Sequence, residues 1–375
     1  MKIKILKQTL LDKLTVINRI TPKKSDLNIL NFFKIYTKNN KVYLLSTDLE
    51  ISYQATILAD IKEDGEFLIP AKQFLDIINN FYEDEVNLET KENTLIIRGG
   101  NIFCSLVSIT EEEFPLLPNY NTDNYIEIDS VFFDNILEKI IIPAKTASLI
   151  KPEFSGIYFW LDNNYLRLVS TDSIRLSEFK FKKDLILTNI NKETKILIPL
   201  KIIDEFLKIR KKPIKTKIYI EENQIIFDLD DQILISRLLT VDYPDYQQII
   251  PKDFNLEIII DKNEFLKVLK LNNVFMDKTK ELKINFNIKE KIIQLYTKNE
   301  LIGENINKIS FDINSINFDD NFEISFNLDF LLDGVRCVEG DKIFMGLNIP
   351  SDINIKPILI KSPLEDEFIY ILMPF

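Results

Sequence analysis

The sequence predicts an α+β protein made of three copies of one unit, each with two helices packed on antiparallel β-sheets and spanning roughly 125 residues. Three observations predict it. β-Hairpin signals recur at a near-constant separation, an amphipathic helix precedes each hairpin, and a second helix follows each. The copies fall at 1–121, 122–252 and 253–375, and neither junction is a Gly/Ser linker, so short connections should join them tightly.

The hairpins run from Tyr36 to Asp48, from Tyr158 to Asp172 and from Phe286 to Thr297. Each is an aromatic or β-branched run, a polar turn, and a second run that ends in threonine. Thr47, Thr171 and Thr297 stand 124 and 126 residues apart. The leading helix shows Leu10, Leu11, Leu14 and Ile17 in the first copy. In the second, Asp129 or Ser130 caps a stripe of Phe133, Ile136, Leu137, Ile140 and Ile141. In the third, Asp261-Lys262-Asn263-Glu264 reads as a capping box ahead of Phe265, Leu266 and Leu269. The trailing helices are expected from Ala71 to Phe81, from Pro199 to about Lys211 and from Asn327 to about Arg336, with Pro199 at the first helical position. Strands close each copy at 86–97, 218–235 and 343–360, and lead to Phe114-Pro115, Tyr243-Pro244 and Met373-Pro374.

Composition removes most catalytic chemistry. There is no histidine, which excludes Ser-His-Asp and Cys-His nucleophile systems, His-containing zinc sites and a histidine proton shuttle. None of the 8 glycines has the spacing of a P-loop or a G-x-G-x-x-G turn. Cys104 and Cys337 are far apart and read as two reduced, buried thiols of a cytoplasmic protein, with no C-x-x-C motif. No run approaches a membrane span, and no signal peptide is evident. Carboxylate pairs such as Asp228 with Asp230 and Asp319 with Asp320 leave a hydrolase open as an alternative, although acidic turns are usually solvated surface. Asp228 to Asp231 lacks the central glycine and terminal glutamate of a calcium loop. No cofactor is implied. A second alternative is an interaction scaffold built from the same repeats.

Particular residues sharpen the reading. Ser46-Thr47-Asp48-Leu49-Glu50 and Ile69-Pro70-Ala71-Lys72-Gln73-Phe74 stand in the first copy. Ser170-Thr171-Asp172-Ser173-Ile174-Arg175-Leu176 and Tyr243-Pro244-Asp245-Tyr246 stand in the second, and the chain closes on Tyr370-Ile371-Leu372-Met373-Pro374-Phe375. In this order, on a threefold repeat, the chain resembles the bacterial DNA polymerase III beta subunit family, the sliding clamps. The resemblance implies a non-catalytic processivity factor that closes as a head-to-tail homodimeric ring around double-stranded DNA, without sequence preference. It implies as partners the replicative polymerase alpha subunit, the clamp loader and other proteins carrying a clamp-binding motif. The subunit contact would set Phe275 and Met276 against the strand holding Phe103, Cys104 and Leu106.

The partner-peptide pocket implied by the resemblance takes one wall from Phe154, Thr171, Ser173, Ile174, Arg175, Leu176, Pro244, Gln248 and Ile249. The other comes from Ile355, Pro357, Ile371, Leu372, Met373, Pro374 and Phe375. Members of the family usually carry Gly-His-Arg-Leu where this chain has Ser173-Ile174-Arg175-Leu176, and a common arginine is Gln248 here. Deleting Ile371 to Phe375 is expected to abolish peptide binding and leave assembly intact.

Charge tests the DNA reading. The whole chain carries −11, with 47 basic and 58 acidic side chains. Residues 1–24 nevertheless hold Lys2, Lys4, Lys7, Lys13, Arg19, Lys23 and Lys24 against Asp12 alone. Residues 199–217 hold Lys201, Lys208, Arg210, Lys211, Lys212, Lys215 and Lys217 against Asp204 and Glu205. Acid gathers instead in segments such as Glu83-Asp84-Glu85, Glu111-Glu112-Glu113 and Glu365-Asp366-Glu367. Lys201, Lys208 and Lys211 or Lys212 should share one polar helix face. By family position Lys24 and Lys201 are the leading duplex contacts, followed by Lys23, Lys151, Lys208, Arg210 and Lys211.

Overall fold

The structure is a computed structural model that describes residues 1–108, 114–147, 151–318, 320–349 and 356–375. Its elements repeat in the predicted order. The first repeat runs β1 (Lys2–Leu6), α1 (Lys7–Ile20), β2 (Phe32–Lys38), β3 (Lys41–Thr47), β4 (Ile51–Ile57), β5 (Asp60–Glu63), β6 (Glu66–Pro70), α2 (Ala71–Asn79), β7 (Glu85–Lys91), β8 (Thr94–Gly99) and β9 (Ile102–Val107). The second runs β10 (Tyr125–Asp129), α3 (Ser130–Thr146), β11 (Gly156–Leu161), β12 (Tyr165–Thr171), β13 (Arg175–Lys182), β14 (Leu187–Thr188), β15 (Thr194–Pro199), α4 (Leu200–Leu207), β16 (Lys215–Ile220), β17 (Gln224–Asp228) and β18 (Gln232–Arg237). The third runs β19 (Leu256–Asp261), α5 (Lys262–Val274), β20 (Glu281–Asn287), β21 (Ile292–Asn299), β22 (Gly303–Ser310), β23 (Asp312–Ile316), β24 (Phe322–Asn327), α6 (Leu328–Cys337), β25 (Lys342–Leu347), β26 (Ile358–Lys361) and β27 (Phe368–Leu372).

Local chemistry accounts for these boundaries. Asn39 and Asn40 sit at φ 52° and 57°, the left-handed pair that a two-residue hairpin turn demands, and asparagine tolerates it. Asp129 Oδ1 accepts from the Phe132 N–H at 2.8 Å, so Asp129 rather than Ser130 caps α3. Asp261 accepts from the Glu264 N–H at 2.8 Å and caps α5. The predicted stripes of α1 and α3 are buried, except that Leu11 remains half-exposed. On α5, Phe265 and Leu269 are buried and Leu266 is half-exposed.

Three expectations need correction. Helix α4 ends at Leu207 rather than near Lys211, because Ile209 folds back into the core with its N–H on Phe206 O, and Pro213 lies just beyond. Pro199 closes β15 and lies just outside α4 rather than at its first position. Thr297 is not the counterpart of Thr47 and Thr171. Those two donate to the carbonyls of Ile51 and Arg175 in their turns. Thr297 turns toward α5 and donates to Asn272 Oδ1, much as Ser170 donates to Ile140 O on α3. Its counterparts are therefore Ser46 and Ser170.

The strands form four sheets. One has nine strands in the order β14-β10-β16-β17-β18-β4-β3-β2-β6, where β18 of the second repeat pairs with β4 of the first. Another has nine in the order β15-β11-β12-β13-β27-β26-β25-β19-β23, where β27 of the third repeat pairs with β13 of the second. The remaining two are five-stranded (β5-β1-β7-β8-β9) and four-stranded (β22-β21-β20-β24). By contacts the chain forms two compact units. One holds Met1–Asp134, Ile186–Asn191 and Lys201–Thr240; the other holds Asn135–Leu185, Lys192–Leu200 and Val241–Phe375. The middle repeat contributes to both, since each of its sheets is continuous with a sheet of a neighbouring repeat.

Candidate functional site

The first unit carries most of the predicted DNA contacts. Lys23 and Lys24 are exposed just beyond α1, and Lys201 is exposed on the first turn of α4. Lys208, Arg210 and Lys211 are exposed too, but on the irregular segment after α4 rather than on one helical face. With α1 they border a polar groove of about 660 Å³, lined also by Lys13, Arg19 and Gln232. The sequence did not reveal that carboxylates meet these cations. Lys201 pairs with Asp48; Lys208 pairs with Asp204 at 2.5 Å and Glu205 at 3.1 Å; Lys211 pairs with Asp12 at 2.7 Å. Arg19 Nε reaches Glu205 at 2.6 Å, and Lys13 is buried against Asp231 at 2.6 Å. Burial disfavours the charge on Lys208, yet Asp204 and Glu205 hold its pKa above the ordinary lysine value. Among the described residues Lys23, Lys24 and Arg210 make no ion pair, and neither does Lys151 of the second unit, whose Nζ lies 5.2 Å over the Phe154 ring.

The second unit gathers the predicted pocket residues around the turn between β12 and β13. Thr171 Oγ1 accepts from the Ser173 N–H at 3.1 Å, and Asp172 Oδ1 accepts from the N–H groups of Ile174 and Arg175. Thr47 and Asp48 close the equivalent turn of the first repeat in the same way. The recurring Ser-Thr-Asp is thus a turn-building device. Strand β27 pairs with β13, setting Leu372 opposite Arg175 and Ile371 opposite Leu176, and Met373 donates its N–H to Ile174 O at 2.9 Å. The segment with Pro244, Gln248 and Ile249 comes close because Tyr246 packs in one cluster with Leu176 and Ile371. Phe154 joins through Tyr243, their rings 6.5 Å apart and edge-on. Pro357 immediately precedes β26. Ile355 lies outside the described residues, as do Glu111 to Glu113 and Asp319.

Not all of these side chains are open to a ligand. Leu176, Ile371 and Leu372 are buried, as are Thr171 and Phe154. Arg175 is 3% exposed and fully engaged: Nε to Asp172 at 3.0 Å, Nη1 to Asp333 at 2.7 Å and to Tyr370 Oη at 3.2 Å, and Nη2 to Thr146 at 3.1 Å. Its guanidinium lies 4.0 Å from the Phe330 ring centre. Burial opposes its charge, but Tyr370, Asp333 and Asp172 raise its pKa further above an already high value. Arg175 therefore pins β13 from beneath and is not an open wall. The accessible apolar surface comes from Ile174, Ile249 and Phe375, which are exposed, and from the half-buried Met373 and Pro374.

Two sheet edges complete the inventory. β9 is one free edge of the five-stranded sheet, the other being β5, with Phe103 62% exposed and Cys104 and Leu106 half-buried. β22 is one free edge of the four-stranded sheet, the other being β24, with Ile306 52% exposed. Phe275 and Met276 follow α5 and are half-buried, and Met276 O accepts from Asn299 Nδ2 at the end of β21. Sequence reasoning found β9 but missed β22. Its polar run Glu304-Asn305-Ile306-Asn307-Lys308 has the charged, alternating pattern of a protected edge strand.

Family models described as the N-terminal, central and C-terminal domains of the DNA polymerase III beta subunit match residues 1–118, 127–245 and 247–375. The chain belongs to the DNA polymerase III beta subunit family. Curated relatives named beta sliding clamp, from Staphylococcus aureus strain Mu50 and from Staphylococcus epidermidis, are each 26% identical over 369 and 370 residues. Those alignments cover 95% of this chain and 93% of each relative. Among solved structures, the sliding clamp of Bacillus subtilis matches at TM-score 0.90 with 24% identity, covering 100% of this chain and 99% of that one. The beta subunit of Thermotoga maritima matches at TM-score 0.87 with 22% identity and the same coverage. The fold is the three-domain clamp fold, and the function is that of a sliding clamp, a processivity factor of DNA polymerase III and not a catalyst. Among the described residues no group of potential ligands could hold a metal, and no helix is long and apolar enough to cross a membrane.

Proposed function

We propose that two copies of this chain join head to tail into a closed ring of six domains, with boundaries near 121 and 252, that encircles duplex DNA in the cytoplasm and tethers the polymerase alpha subunit, the clamp loader and other clamp-binding proteins. One observation carries the reading. Two sheets of the chain reach nine strands by joining five strands of one repeat to four of another, and the two that remain have five and four, with β9 and β22 unpaired at their edges. β9 is the counterpart of β18 and β27, and β22 is the counterpart of β4 and β13. Pairing β9 with the β22 of a second copy would make a third nine-stranded sheet and cover both of these edges. Closure after two copies gives the symmetric dimer that soluble oligomers favour.

Repeat equivalence also gives a register. Tyr53 pairs with Leu234, and Ser177 pairs with Tyr370. The corresponding residues are Asn305 and Cys104, so Cys104 should face the partner's Asn305 and Phe103 should face the partner's Ile306. Phe103, 62% exposed, and Ile306, 52% exposed, would then cover each other. The test is Asn305→Cys under mild oxidation. A cross-linked dimer through Cys104, absent in Glu304→Cys and Ile306→Cys, is expected, since directly opposed strand residues lie within disulfide reach while flanking ones point away. A protein that stays monomeric at micromolar concentration would overturn the ring. The open peptide surface of Ile174, Ile249, Met373, Pro374 and Phe375 supports the tether, and Lys23, Lys24, Lys151, Lys201, Lys208, Arg210 and Lys211 are the proposed phosphate contacts.

A further inference from the structure

We propose that carboxylates of this chain hold three of the duplex-facing cations, Lys201, Lys208 and Lys211, in check, so that a DNA phosphate must displace an intramolecular partner at each of these contacts and the interface stays weak enough to move along the duplex. The proposal rests on reading α1, α4 and the segment to Lys211 as the surface that meets DNA. Its evidence is the asymmetry of the pairs. At Lys201 the cation is exposed, while Asp48 is largely buried. The second oxygen of Asp48 is fixed by the backbone N–H groups of Glu50 at 3.0 Å and Ile51 at 2.7 Å, so the anion is held in the β3–β4 turn. At Lys208 the exposed cation meets the buried Glu205, which Arg19 also engages. At Lys211 the cation is again the more exposed member, and Asp12 accepts in addition from Gln8 at 3.1 Å.

The physical consequence follows from which member can move. A fixed anion with a flexible lysine above it gives the ammonium two stations, the carboxylate and an incoming phosphate. Exposed ion pairs are individually weak, shifting an equilibrium by about fivefold at most, so exchange between the two is nearly even. Release from one phosphate is then compensated by return to the carboxylate, which flattens the profile for moving to the next. Bare lysines would bind more tightly and would release more counterions per contact.

The test measures affinity for a short linear duplex against salt concentration for Asp48→Asn and Asp12→Asn. Asparagine keeps the Oδ1 acceptor of the β3–β4 turn and of the Gln8 contact but removes the charge. Each variant is expected to bind about threefold to fivefold more tightly at low salt and to steepen the log–log salt slope by about one. Glu365→Gln, an equal charge change at an exposed carboxylate with no such partner, is the control and should change neither quantity comparably. If the wild type binds in a salt-dependent way but the two variants match it or the control, the proposal is overturned while the DNA interface stands. If wild-type binding is indifferent to salt and Lys201→Ala has no effect, the DNA-facing reading fails and the proposal with it.

Discussion

Ser173 sits at φ 79°, in the left-handed region where a Cβ is strained, and Leu49 occupies the equivalent turn position at φ 76°. The family resemblance marks the former position as one where glycine is usual, and the geometry supplies the reason. The turn needs a positive φ so that Thr171 and Asp172 can accept the N–H groups of Ser173, Ile174 and Arg175. Ser173→Gly should therefore stabilise the fold by about 0.5–1 kcal/mol, the strain relieved being partly offset by the greater freedom of glycine when unfolded. Ser173→Val should destabilise by at least as much, because β-branching is least tolerated there. Urea midpoints of the two variants check both signs, and a destabilising glycine would refute the strain argument. The Ser-Thr-Asp recurrence was legible in the sequence as a repeat marker. Its hydrogen-bonding role was not, since it depends on a backbone turn that residue types alone do not specify.

Elements differ in how plainly the sequence announced them. α3 and α5 were readable because a capping aspartate and a 3.6-residue apolar stripe agree. The end of α4 was not, because Lys208 to Lys212 could extend the polar face while the buried Ile209 decides otherwise. β27 shows why burial matters to a test. Deleting Ile371 to Phe375 looked harmless to assembly, yet Ile371 is 2% and Leu372 0% exposed and both lie in the ladder with β13. Losing Leu372 alone would remove a fully buried side chain, a change that costs about 2–5 kcal/mol when leucine is cut to alanine. The two functions of the segment separate at Leu372. A chain ending there should keep a melting temperature close to the full protein and lose affinity for a polymerase clamp-binding peptide, because Met373, Pro374 and Phe375 are gone. A chain ending at Tyr370 should also melt well below it. If both truncations melted alike, β27 would not be the structural seam that its pairing indicates; if the shorter cut kept peptide affinity, the binding surface would lie elsewhere.

For the whole molecule, charge and topology make separate contributions to holding DNA. A chain at −11 has little long-range attraction for a polyanion, and three cations of its proposed duplex surface, Lys201, Lys208 and Lys211, are matched by Asp48, Asp204, Glu205 and Asp12. Sequence counting exposed the basic segments but could not register these matches, because Asp12 and Lys211 are 199 residues apart in the chain. Affinity is therefore an unpromising source of retention, and the proposed closed ring would supply another, since a linked duplex cannot leave without an opened interface or a free end. This predicts a sharp dependence on DNA ends. After loading onto a nicked circular duplex, the protein should remain through a wash in about 1 M salt, where electrostatic contacts are screened beyond roughly 3 Å. Cutting the circle once should then release it, as measured by gel filtration of labelled protein. Asn305→Cys, oxidised after loading, should stay on the circle even when a destabilising substitution such as Ile306→Asp is added to weaken the β9–β22 contact. Release from the intact circle as fast as from the cut one would mean that affinity, not linkage, holds the protein on DNA, and the ring would lose its functional role.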